Sequence, residues 1–150
     1  MLLTTPEALS FRFDEIVRLL SRRVDAALEQ FGLSRAQWKL LAYVLVSEGP
    51  TQSELARLLD VERASIGQAV DILVRKGLIL RQPSQKDRRV WCIWGTEEAN
   101  ALAPKMREAV DSTLKQMFAG FDTAKFEQLR GLLDWLVGNL DEMKNTERRV

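Results

Sequence analysis

Residues 51–77, TQSELARLLDVERASIGQAVDILVRKG, hold two short amphipathic helices with almost no chain between them, which leaves few folds open. Thr51-Gln-Ser-Glu54 matches a capping box, in which the first hydroxyl and the fourth side chain each satisfy an otherwise orphaned N–H. Leu55, Leu58 and Leu59 follow at helical spacing and are expected to be buried. Asp60-Val61 is a short turn, and Ile66, Val70, Leu73 and Val74 then recur at i, i+4, i+7 and i+8, again as a buried stripe. Two helices joined this way form a helix-turn-helix. On the face opposite Ile66 and Val70 lie Arg63, Ser65, Gln68 and Ala69, with Gly67 beside them. Short residues permit close approach to a groove, glutamine matches an adenine edge, and arginine matches guanine or phosphate.

Beyond Gly77 the helical period gives way to strand-like runs. A short apolar run, Leu78-Ile79-Leu80, leads to the turn residues Pro83-Ser84-Gln85 and then to Val90 to Trp94. Two β-rich runs around a polar tip read as a hairpin. A hairpin directly after a helix-turn-helix is the winged-helix arrangement, and its tip falls beside the groove that the second helix enters. The tip itself is Lys86-Asp87-Arg88-Arg89. Three readings of it stand open: a grip on a nucleic-acid backbone, a site for an acidic ligand, or a solvated turn. The net charge of +1 is uninformative, but its distribution is not. Eight bases against four acids between Arg57 and Arg89 give that segment +4, leaving −3 for the rest of the chain. A basic middle on a slightly acidic body points to a local polyanion contact.

The flanks read as helices. Pro6-Glu7 opens the first, Ser34-Arg-Ala-Gln37 is a second capping box, and Thr96 and Asp122 are plain N-caps. Gly32, Gly49, Gly77 and Gly120 mark stops. The expected order is four helices, a hairpin and two more helices. The fold class is therefore mainly α with a small β-hairpin wing: a winged helix-turn-helix over 33–95, flanked by long helices over 6–31 and 97–144, in one domain of 1–150. The first helix carries Phe11, Ile16 and Leu20, and the last Leu129, Leu133, Leu136 and Leu140, within apolar sets wider than one stripe requires. Either they form a helical core within one subunit or, the preferred reading, these seven residues pair with a second copy. A two-fold homodimer would present two reading helices to a pseudo-palindrome.

Several function classes are excluded or disfavoured. The chain has no histidine, which removes imidazole acid–base chemistry, the Ser-His-Asp triad and most zinc sites. No acid pair or glycine-rich phosphate loop stands at motif spacing, so neither an enzyme, a metal nor a cofactor is expected. The chain has no uninterrupted apolar run long enough to span a membrane and no secretory signal. Cys92 is the only cysteine, which fits a reducing cytoplasm.

The stretch from Thr51 to Thr96 resembles the MarR family of bacterial transcriptional regulators. The residues that carry the resemblance are Thr51-Gln-Ser-Glu-Leu-Ala-Arg-Leu-Leu59, then Val70-Asp71-x-Leu73-x-x-Lys76-Gly77-Leu-Ile-x-Arg81, then Asp87-Arg88-Arg89 with Thr96 seven residues beyond. Members usually have Leu-Thr with glycine after it; here glycine precedes, in Gly95-Thr96, and Gly67 stands where a hydroxyl is common. The resemblance implies a dimeric regulator, here read as a ligand-responsive repressor, bound to double-stranded DNA at a palindromic operator. Its DNA-binding set would be Thr51, Gln52, Arg63, Ser65, Gly67, Gln68, Arg75, Lys86, Arg88 and Arg89. Asp87 would shape the wing by pairing with Arg81 or a wing arginine. A small aromatic or acyl effector is also implied, with Arg12, Phe13, Trp38, Ala42 and Tyr43 as candidates to line its site. Two alternatives accompany this reading: a winged helix used as a protein adaptor, and redox sensing through Cys92.

Overall fold

Each helix start expected from capping chemistry has its cap in the computed structural model, which describes residues 5–85 and 87–147, with side-chain surroundings through Met143. Thr5 Oγ1 accepts from Ala8 N–H, with Pro6 opening α1 (Pro6–Leu28). The Ser34 box, with Gln37 N–H to Ser34 Oγ at 3.2 Å and Ser34 N–H to Gln37 Oε1 at 3.0 Å, starts α2 (Arg35–Val46). The Thr51 box starts α3 (Gln52–Leu59), and α4 (Arg63–Arg75) follows after a left-handed Asp60. Strands β1 (Ile79–Pro83) and β2 (Trp91–Gly95) pair antiparallel. Thr96 and Asp122 then cap α5 (Glu97–Met117) and α6 (Thr123–Glu147), accepting from Ala99 N–H at 3.1 Å and Lys125 N–H at 2.8 Å. The fold is mainly helical with a single hairpin among the described residues.

Contacts divide the chain into two units, through Thr113 and from Leu114 onward. In the first, Val24 and Leu28 of α1, Leu40, Leu41 and Val44 of α2, Leu55 of α3, Ile66, Val70 and Leu73 of α4, and Ile79 and Ile93 of the hairpin form one core with Met106 of α5. The second unit holds a ring cluster of Phe118, Phe121 and Phe126, with centroids 5.1–5.4 Å apart. None of the described side chains of α6 is buried.

Two expectations about the core need correction. Leu58 is 55% exposed, because the inner face of the two-turn α3 is taken by Leu55 and Ala56, with Leu59 half-buried beside them. Val74 is half-buried at the edge of the core, since Leu73 occupies the inward position at that turn of α4. The hairpin is also displaced by one residue at each side. Leu78 is buried before β1 begins, Pro83 pairs with Trp91 at the strand end, and β2 runs to Gly95. Proline is tolerated there because the end of the ladder needs no further donor.

The hairpin is pinned to the lobe by β2. Ile93 N–H donates to Pro50 O at 2.9 Å and Cys92 bridges Thr51, so β2 lies between β1 and the chain entering α3. Closeness at this seam depends on Gly49, which has φ +65° and faces the Trp94 ring where a β-carbon would sit. Gly49→Ala should therefore destabilise the protein more than Gly120→Ala, which has φ +83° but no neighbour within 4 Å. Both changes incur the left-handed penalty of about 1–2 kcal/mol, and only the first also displaces an indole. Urea unfolding of the two variants checks this, and equal losses would show that the Trp94 ring moves aside without cost.

Candidate nucleic-acid interface

The orientation of α4 follows from its buried stripe. Ile66, Val70 and Leu73 are at most 3% exposed, so the opposite face, with Ser65 and Gln68, is turned to solvent, and Arg63 is exposed at the first turn. Its N-cap is Glu62, whose side chain makes no capping hydrogen bond. Gly67 is half-buried, and a β-carbon there would lie 3.5 Å from Gln52 Nε2, so the first residue of α3 lies against the middle of α4.

The wing tip is shaped by Asp87, though not as the sequence suggests. Asp87 Oδ1 accepts from Arg89 N–H at 3.0 Å, Asp87 O accepts from Val90 N–H at 2.9 Å, and Val90 O accepts from Ser84 N–H at 2.8 Å. The expected pairing of Asp87 with Arg81 or a wing arginine side chain is not formed. Arg81 stands lower on β1, opposite Ile93, where it meets Asp71 of α4 at 2.5 Å. Asp87 thus holds the tip's backbone, and Arg81 ties the wing to α4. The pair is partly exposed, so its contribution to stability is about 0–1 kcal/mol. Among the described residues, Arg63, Arg88 and Arg89 enter no ion pair. Lys86 lies outside the described residues.

Between wing and helices runs an open groove of about 420 Å³ lined by Thr51, Gln52, Ser53, Arg63, Arg89, Val90 and Trp91. Four of the ten DNA-binding candidates meet here: Thr51, Gln52, Arg63 and Arg89. Ser65, Gln68 and Arg88 are exposed outside it, and Arg75, twelve residues after Arg63, stands roughly 18 Å further along the α4 axis. The Thr51 hydroxyl is already engaged, donating to Glu54 Oε2 at 2.9 Å and accepting from Glu54 N–H at 3.2 Å. Sequence reasoning missed Ser53, Val90 and Trp91. Strand alternation was the available signal for Trp91, which shares a face of β2 with buried Ile93.

Residues 31–90 match the model of the MarR family. The match covers the winged-helix lobe, which is thus similar to that family. Solved structures extend the likeness in fold beyond the lobe. A MarR transcriptional regulator from Methanosarcina mazei aligns with a TM-score of 0.81 at 22% identity, over 91% of this chain and 99% of that one. MepR of S. aureus, solved as a DNA complex, aligns at 0.80 and 23%, over 87% and 96%. CouR from Rhodococcus jostii, solved bound to p-coumaroyl-CoA, aligns at 0.77 and 26%, over 85% and 90%. The winged helix seen in these MarR-family structures is therefore the fold that carries the groove.

The remaining candidates fall into three groups. Trp38 belongs to the core, with Ala42 and Tyr43 packed at its edge on α2, whereas Phe13 is exposed on α1 and Arg12 pairs there with Glu15 at 2.6 Å. An open recess of about 470 Å³ is lined by Asp25, Ala26, Glu29, Gly32, Leu33, Ser34 and Gln37, none of which was an effector candidate. The seven pairing candidates, Phe11, Ile16 and Leu20 on α1 and Leu129, Leu133, Leu136 and Leu140 on α6, are all exposed or half-buried. Cys92 is half-buried in β2, and no helix among the described residues is long and apolar enough to cross a membrane.

Beside the groove, the capping box at the start of α3 bears on a carboxyl group. Hydrogen bonds from the Thr51 backbone and hydroxyl, with the Arg57 charge, hold the Glu54 carboxyl below its ordinary value. A carboxylate lowered by folding stabilises the fold above its ordinary pKa, and that contribution fades as pH falls toward the lowered value. Glu54→Gln should therefore lower the neutral plateau and flatten the acid limb below about 4.5, with little change at the acid end, where Glu54 is itself protonated. Urea midpoints between neutrality and pH 3 test this; a variant with the wild-type acid limb would remove Glu54 as its source.

Proposed function

We propose that the protein is a sequence-specific, double-stranded-DNA-binding transcriptional regulator that acts as a homodimer on a pseudo-palindromic operator. The observation that carries this reading is the groove where the start of α3, the start of α4 and the wing converge with two arginines outside any ion pair. Beside it, α4 offers Ser65 and Gln68 on an exposed, otherwise uncovered face. That combination suits a helix laid in the major groove with a cationic wing over the flanking backbone. MepR, of like fold, was solved with DNA, which supports the same partner here. In this reading Gln68 addresses a base edge, Arg63 and Arg88 hold phosphates, and Arg89 enters the minor groove, where narrow A·T tracts deepen the negative potential.

The pairing of two copies is supported by the apolar surface left on α1 and α6. Phe11, Ile16, Leu133 and Leu140 are between 40% and 64% exposed in one chain, a condition that apolar residues in such numbers rarely keep in solution. We further assign the protein as a repressor released by a small aromatic or acyl ligand. CouR was solved with an acyl-CoA of this chemical kind, and Tyr43, Ala42, Phe13 and Arg12 remain the candidates to meet such a molecule.

Salt titrations on specific and random duplexes test the DNA reading. Arg88→Ala should weaken binding to every duplex and reduce the slope of log K against log[salt] by roughly 0.9. Arg89→Ala should do the same and also erase preference for A·T-rich flanks. Gln68→Ala should instead cost about 1–3 kcal/mol of discrimination at one base pair per half-site, with random-duplex binding little changed. A protein adaptor would show no salt-sensitive binding at all. For the dimer, sedimentation at micromolar concentration should give two copies, and Leu133→Asp should weaken both association and operator binding. A folded monomer that binds the full palindrome undiminished would end that part of the proposal.

A further inference from the structure

The groove has an apolar wall that the arginines do not explain. Successive side chains of a strand alternate between faces, so Trp91 shares the side of β2 that carries Ile93. Ile93 is 1% exposed and belongs to the core, whereas Trp91 is 54% exposed. The indole therefore stands on the inward face of the hairpin but beyond the edge of the core, and what it faces is the groove. Val90 adjoins it, the start of α3 provides a polar wall, and Arg63 and Arg89 bring positive charge. An exposed tryptophan in a cationic groove is costly to leave uncovered and needs a ligand that is both anionic and apolar.

A DNA strand has that alternation. Each nucleotide presents a phosphate and, beside it, a deoxyribose whose ring carbons form a small apolar face. Bases in an intact duplex are stacked on one another and do not reach this position, whereas the sugar–phosphate edge does. We propose that Trp91 is a backbone-seating residue, packing on a deoxyribose of the strand that passes between wing and reading helix, while Arg63 holds a neighbouring phosphate and Arg89 reaches past the strand into the minor groove. This rests on the DNA-binding reading above and adds to it a contact that is independent of both sequence and charge. Every nucleotide carries the same sugar, so the contact strengthens specific and non-specific binding alike. Being uncharged, it releases no counterion.

These properties separate it from the arginines. Trp91→Ala should weaken binding to operator and random duplexes by the same factor, roughly tenfold for half an indole brought out of water. The slope of log K against log[salt] should stay at the wild-type value. Trp91→Phe should recover part of the affinity, and circular dichroism should report both variants folded, since the indole lies outside the core. In the wild type, duplex should shield tryptophan emission from acrylamide, and the shielding should diminish in Trp91→Phe. Full affinity in folded Trp91→Ala would overturn the proposal while leaving DNA binding intact. So would a loss accompanied by a lower salt slope, because the tryptophan would then act only by placing Arg89. If the wild-type protein binds no duplex, this proposal falls together with the reading it rests on.

Discussion

The burial of one face of α4 is the constraint on which the interface depends. Ile66, Val70 and Leu73 are each enclosed by the core, and removing such side chains from water is worth about 1.5–3 kcal/mol apiece. Nothing else touching this helix approaches that sum: the Arg81–Asp71 pair contributes about 0–1 kcal/mol. The rotation of α4 about its axis is therefore set by its apolar stripe. With 3.6 residues per turn, fixing those three inward leaves Ser65 and Gln68 outward, while Arg63 is exposed because it opens the helix. A polar or charged residue at Ile66 or Val70 would not merely weaken the core; it would free the reading face to turn.

The wing depends on a different kind of restraint. A two-stranded hairpin is marginal by itself and must borrow stability from what it packs against. Here β2 is held by the Ile93–Pro50 hydrogen bond, the buried Ile93 side chain and the close passage of Gly49 beneath Trp94. The same seam fixes the start of α3, because Thr51 bridges Cys92 on one side and caps α3 on the other. Wing and helix-turn-helix are thereby joined at one residue. The groove between them is a consequence of this seam, and Arg81–Asp71 steadies its far side.

Other apolar surfaces obey the opposite logic. Residues of α1 toward its N-terminus and all described side chains of α6 stay exposed or half-buried in a single chain, although both helices carry the leucines and phenylalanines of a core. In α1 the change occurs along one helix, with Val24 and Leu28 enclosed and Phe11 and Ile16 open. Hydrophobic residues at core density with no core around them are what a surface held for association looks like.

Much of this was legible in the amino-acid sequence, because local chemistry determines it. Hydroxyls and carboxylates placed to accept from free N–H groups marked the starts of α2, α3, α5 and α6, and the spacing of Ile66, Val70 and Leu73 set the inward face of α4. The hairpin, the reading face and the concentration of arginines came from the same short-range rules. What the sequence left open were matters of which segments meet. Leu58 matched the helical pattern yet lies exposed, since only packing decides how wide a stripe an eight-residue helix buries. Arg81 was read as a partner for Asp87, and the hairpin's register against α4 gave it to Asp71 instead. Trp91 read as one more apolar strand residue. That it stands past the core's edge, lining a groove with Arg63, depends on where β2 crosses the lobe, a distance between segments that no local pattern encodes.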